Sequence, residues 1–167
     1  MKPFNSYMLA LLSQEGKFSC HKVAHNLDKV SHDKLTRFLL KKDQKQEIDI
    51  KSLPKGGQLI FDDTSIDKSY SQKMEGISWV WCSKINKAIK GYCFIKFIYI
   101  YKGKIYNIAD IFWQKGVKTK NELVREKLQE LYEKGLEPEI VLFDCFYAAC
   151  KNLNLLDSFN WKYLTLC

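Results

Sequence analysis

Two apolar runs in this chain end in aspartate: Leu59-Ile60-Phe61-Asp62-Asp63 and Ile140-Val141-Leu142-Phe143-Asp144. Runs of that kind read as strands in the middle of a sheet, and open α/β sheets build their sites at the carboxyl ends of such strands. If the two strands are neighbours, their carboxylates converge. Converging carboxylates resist joint ionisation unless a cation lies between them. Hard oxygen ligands suit Mg²⁺ or Mn²⁺. The same residues admit a plainer reading, with Asp62-Asp63-Thr64 as an Asx-type turn and Asp144 as a cap on the helix after it.

Other chemistry finds less support. Cys20, His21 and His25 lie close together, but a structural zinc site needs about four ligands and no CxxC pair supplies the rest. The three histidines all fall by residue 32, which leaves no His to pair with a later nucleophile. No P-loop, GxGxxG or HExxH motif occurs. Trp79, Trp81, Tyr92, Phe94 and Phe97 could stack on bases, yet at strand spacing they read as core.

The elements that must position the aspartates follow from periodicity and punctuation. Residues 1–45 read as short helices: one with Phe4, Tyr7, Met8, Leu11 and Leu12 at helical spacing, one over SCHKVAHNLD, and one over SHDKLTRFLLKK. The third has Ser31 as N-cap and Asp33 in its first turn. Its apolar stripe is Leu35, Phe38 and Leu39, which leaves Lys34, Arg37 and Lys41 for another face. Three short helices with a basic third one resemble a helix-turn-helix, and a small helical cap is the other reading. Residues 46–56, polar with a Pro, read as a linker.

From 57 to 167 the pattern is strand-like. QLIFDDTS is a strand, and GYCFIKFIYIY with KIYNIADIFW forms a hairpin about Lys102-Gly103. Thr119 and Glu122 make a capping box ahead of a helix with Val124, Leu128, Leu131 and Tyr132 on one face. EIVLFD is a buried strand, AACKNLNLLDSF a short helix and WKYLTLC the start of another strand. That alternation predicts a mixed α/β sheet with helices packed on it.

Composition fits a packed protein drawn to polyanions. The 167 residues are 46% hydrophobic and carry a net charge of +8, concentrated in residues 1–55, where 11 Lys/Arg face 6 Asp/Glu. The six cysteines are scattered, no signal peptide stands out, and GYCFIKFIYIY is too short to span a bilayer and contains Lys96. The expectation is a cytoplasmic protein with free thiols and no membrane association.

LIFDDTSIDKSYSQKMEG resembles the first active-site segment of bacterial insertion-sequence transposases with an Asp-Asp-Glu triad, through Asp62, Asp63, Thr64, Lys68, Glu75 and Gly76. VLFDCFYAACKNLNLLDSFNWKYLTLC resembles the second, with Phe146 where Trp is common and Asn160-Trp161 at the turn. SHDKLTRFLLKK is similar to that family's N-terminal helical region.

The resemblance implies a ribonuclease-H-like mixed sheet with flanking helices, preceded by the small helix-turn-helix-like region. It implies Mg²⁺ (or Mn²⁺) held by Asp63 and Asp144 for DNA strand cleavage and transfer. Asp63 is preferred because it directly precedes Thr64, and strand alternation lets one of the two face the site; Asp62 is the alternative. Transposon-end DNA is the implied partner, with Lys34, Arg37 and Lys41 on its phosphates and a homodimer as one admissible assembly. The family's third acidic residue, a Glu on a helix beyond the strand begun at Trp161, has no counterpart before Cys167. The sequence therefore reads as a truncated copy, with no catalysis expected of 1–167 alone. A metal-dependent nuclease of the same superfamily and a non-catalytic DNA-binding derivative are the alternatives.

Overall fold

The computed structural model describes residues 24–25, 31–40, 48–71 and 74–166. The chain divides into two units, 1–46 and 47–167. In the first, helix α1 spans His32–Leu40, and Ser31 Oγ accepts the Lys34 N–H at 3.3 Å, the N-cap bond its position predicts. Lys34 and Arg37 are exposed on it. The helices expected over 4–16 and 19–28 lie outside the described residues, apart from helical Ala24 and His25, as does Lys41.

The described strands of the second unit are β1 (Gly57–Asp67), β2 (Ser78–Cys82), β3 (Lys87–Tyr101), β4 (Lys104–Trp113), β5 (Pro138–Asp144) and β6 (Tyr163–Leu166). They make one six-stranded sheet of order β2-β3-β1-β5-β6, with β4 also on β3. β3 is antiparallel to β1, β2 and β4, whereas β1, β5 and β6 run parallel. Lys102 and Gly103 both have positive φ, the condition for the two-residue turn that joins β3 to β4.

Helices close the parallel crossovers, α2 (Lys120–Glu133) between β4 and β5 and α3 (Cys150–Ser158) between β5 and β6. The capping box is complete: Thr119 accepts the Glu122 N–H and Glu122 accepts the Thr119 N–H. Val124, Leu128 and Leu131 are its buried stripe, and Gly135, at φ 81°, ends it. The result is the mixed α/β sheet with helices packed on it that the alternation of elements predicts.

The core centres on Phe61, stacked between Phe97 (5.0 Å) and Phe143 (5.1 Å), with the Tyr147 ring edge-on at 5.4 Å. The polar stretch read as linker carries two anchors into this core, Ile50 and Leu53. Tyr99 pins its end, donating from its hydroxyl to the Pro54 carbonyl and accepting the Gly57 N–H. β1 runs on to Asp67, past the expected strand, because β3 pairs with it over its full length. Where β3 passes between β1 and β2, only glycine fits: a Cβ on Gly91 would lie 2.1 Å from the Ile66 carbonyl oxygen. The β1–β5 ladder has one irregularity, after Gly57↔Pro138, so that Gln58 faces Ile140 and Glu139 is passed over.

Candidate active site on the adjacent strands β1 and β5

Alternation along β1 sorts the two aspartates. Leu59 and Phe61 are buried on the helix-covered face, so Asp63 follows them there, while Ile60 and Asp62 take the other face. Along β5, Val141 and Phe143 point to the helices and Asp144 takes the other side. The register pairs Phe61 with Phe143 in parallel strands. One residue further on, Asp62 and Asp144 stand next to each other on one face.

Asp63 is committed elsewhere. Its Oδ1 accepts the Tyr147 hydroxyl at 3.0 Å and its Oδ2 the Lys120 ammonium at 2.6 Å, with the Cys93 thiol at 3.5 Å. Lys120 opens α2 and Tyr147 follows β5, so the first turns of two crossovers meet over one carboxylate. The ion pair is mostly shielded, at 16% and 23% side-chain exposure.

The electrostatics agree with this division. Lost hydration from its neighbours raises the Asp62 carboxyl above its usual value. The charges of Asp63 and Asp144 add to that, and the Asp63 N–H bond and the Lys120 charge partly offset it. Burial pulls the Lys120 ammonium down, but Asp63 outweighs it and the net direction is up. Tyr147 is raised by burial and then by the Asp63 charge, so it stays a protonated donor. Burial likewise pushes the Cys93 thiol up to about 11.

Neither plainer reading holds. Asp62 lies within a continuous strand, its Oδ1 accepting the Asp63 N–H at 2.8 Å. Asp144 makes no side-chain capping bond. Lys34 and Arg37 sit on α1 in the other unit. Of the aromatics read as core, Phe97 is fully buried, whereas Trp79 and Trp81 are 64% and 57% exposed. They face outward on β2, and Val80 between them is the residue that packs.

Sequence reasoning missed Lys120, Tyr147 and Asn152. Asn152, 1% exposed, donates to the Tyr147 carbonyl at 2.8 Å and to Asn121 Oδ1 at 2.6 Å, and accepts from Arg125 at 3.0 Å. It thereby ties the loop that carries Tyr147 to both helices. Its signal was a buried-type position filled by a polar residue in the apolar stripe of α3.

Asp62 and Asp144 have carboxylate oxygens left for a hard cation, whereas both Asp63 oxygens are engaged. Asp144 has no hydrogen-bond or ion-pair partner among the described residues, and Asp62 has one oxygen uncommitted. The Asp63 oxygens already hold an ammonium and a hydroxyl. No three of His, Cys, Asp and Glu gather into a metal-binding group among the described residues. Among them, too, no helix is long and apolar enough to cross a membrane.

No family model and no curated protein matches the chain. Among solved structures it is similar to the Drosophila P element transposase in its strand transfer complex, at 14% identity and TM-score 0.48, covering 99% of this chain and 41% of that one. A second is the simian T-cell lymphotropic virus intasome in complex with PP2A regulatory subunit B56 gamma (10% identity, TM-score 0.41, 99% and 52%). A third is the Mos1 transposase paired-end complex with the left transposon end (12%, 0.38, 98% and 58%). The chain spans about half the length of the chains it matches.

Proposed function

We propose that residues 57–167 belong to the catalytic core of an insertion-sequence transposase that cuts and rejoins DNA phosphodiesters, with Asp62 and Asp144 as its paired metal-binding carboxylates. The observation that carries this is the register: two adjacent parallel strands bring one carboxylate each to the same face at the same level. Asp62 and Asp144 would hold a divalent ion, Mg²⁺ or Mn²⁺, which when bound would supply charge neutralisation for the attacking and leaving oxygens. The chain's own part is positional. β1 and β5 hold the two carboxylates side by side, and the raised carboxyl of Asp62 is the strain that a cation relieves. Asp63, with Lys120 and Tyr147, fixes β1 against the helical layer instead of binding metal.

Transposon-end DNA is the proposed partner. Lys34 and Arg37, exposed on α1, are the proposed phosphate contacts, together with Lys41. Hydrolysis alone would use the same carboxylates, so strand joining is what separates a transposase from a nuclease.

Mn²⁺ titration into residues 1–167, followed by paramagnetic broadening of backbone amides, tests the metal pair. Broadening centred on 61–63 and 143–145 that vanishes in Asp62→Asn and in Asp144→Asn, yet persists in Asp63→Asn, is the expected result. Broadening that survives Asp144→Asn overturns the assignment.

A further inference from the structure

The β4–α2 connection and the turn after β5 enclose a pocket of about 520 Å³ at the carboxyl edge of the sheet. Trp113, Phe146, Val117, Lys115, Lys118 and Lys120 line it. Phe146 is 55% and Val117 71% exposed, so the rim is apolar and wet. The Lys120 ammonium lies 5.3 Å from the Trp113 ring centre and 5.6 Å from that of Phe146, so two aromatic rings flank one cation.

Trp113 is held in place by its indole N–H, which donates to the Lys118 carbonyl at 2.8 Å. The one acidic residue in the wall, Glu122, is tied into the capping box by Thr119. Lys118 is paired with Glu126, outside the pocket, while Lys115 has no ion-pair partner among the described residues. Two lining residues link the pocket to the aspartates: Lys120 holds Asp63, and Phe146 is two residues from Asp144.

Flat aromatic walls beside one lysine without a counter-ion among the described residues, Lys115, match a ligand with a π-face and a phosphate. We propose that this pocket is a stacking subsite for an unpaired nucleotide of the DNA strand, its base against Trp113 and Phe146 and its phosphate on Lys115. An acidic peptide would match the charge but leave two ring faces unused. The proposal rests on reading the neighbouring carboxylates as a phosphodiester-processing site.

The test uses residues 1–167 without metal, a short single-stranded oligonucleotide carrying one 2-aminopurine, and a blunt duplex of the same length. The single strand should bind with its 2-aminopurine emission altered by stacking. Phe146→Ala, an exposed position that leaves the core intact, should weaken single-strand binding by roughly tenfold and leave duplex binding unchanged. Trp113→Phe should retain most of the affinity, and Lys115→Ala should reduce the salt slope by about 0.7. Single-strand binding and emission that are the same in Phe146→Ala as in the parent overturn the subsite. Asp62→Asn and Asp144→Asn should leave oligonucleotide binding untouched, so a failed metal site and a failed stacking site give different results.

Discussion

Replacing Asp63 by alanine tests the proposed division of roles, Asp63 holding the fold and Asp62 binding metal. The substitution leaves the Lys120 ammonium, 16% exposed, without its counter-ion, and the buried Tyr147 hydroxyl without its acceptor. Stranding one partner of a fully buried pair costs about 3–5 kcal/mol, and an orphaned buried hydroxyl about 1–3 kcal/mol. The pair here keeps some access to water, and the Trp113 and Phe146 rings retain part of the cation's stabilisation. Together these place the loss near 3 kcal/mol, a fall in Tm of roughly 6–12 °C. The Asp62→Ala substitution removes no partner but the Asp63 N–H bond and should stay within about 0.5 kcal/mol of the parent. Urea unfolding followed by tryptophan fluorescence measures both. Asp63→Ala/Lys120→Met should lose less than the sum of its single variants, because the stranded charge is gone. Equal costs at positions 62 and 63 would refute the assignment of roles.

Two further outcomes follow from the same geometry. The Asp62 carboxyl is raised above its ordinary value near 3.8, so the fold prefers it neutral; that preference is fully present below 3.8 and is lost as pH rises through the raised value. In metal-free buffer Asp62→Asn should therefore melt higher than the parent at pH 7, by about 1–2 °C, with the gap closing as pH falls below 3.8; a lower melt at pH 7 would contradict the cause given. Gly91→Ala forces a methyl against the Ile66 carbonyl and should cost about 2 kcal/mol or more in urea, whereas Gly116→Ala, where a Cβ meets nothing within 4 Å, should lose only through its φ of 88°. Equal losses at the two positions would mean the β1–β3 approach is not tight.

Much of this fold was legible because its signals are local. The hairpin was readable at Lys102-Gly103, the α2 start at Thr119 and Glu122, and both strands from their apolar runs, although β5 ends at its aspartate and β1 continues four residues past Asp63. The parallel β1–β5 relation followed from having a helix between them. The choice between Asp62 and Asp63 was not legible. A run with Ile60, Phe61 and Leu59 all apolar hides which parity faces the helices, and only the partner strand and α2 reveal it. Lys120 escaped notice for a related reason: at the first turn of a helix a lysine reads as a solvated charge, and its partner lies 57 residues earlier in the chain. The Trp79 and Trp81 side chains misled because strand alternation marks two faces without saying which is covered.

The skipped residue near the start of the β1–β5 ladder sets the reading frame of the site. Side chains repeat every two residues, so a one-residue slip would bring Asp63 level with Asp144 and turn one strand's apolar set to water. Passing over Glu139 absorbs that offset four positions before Phe143, where nothing functional is at stake. Downstream of it, Leu59 with Val141 and Phe61 with Phe143 act as a two-step phase check before the carboxylates are reached. Adjacent aspartates are thereby kept from being interchangeable: loss of either cannot be made good by its neighbour. An insertion or deletion in residues 58–61 would be read at the site as an exchange of identities, although it adds or removes no acidic residue.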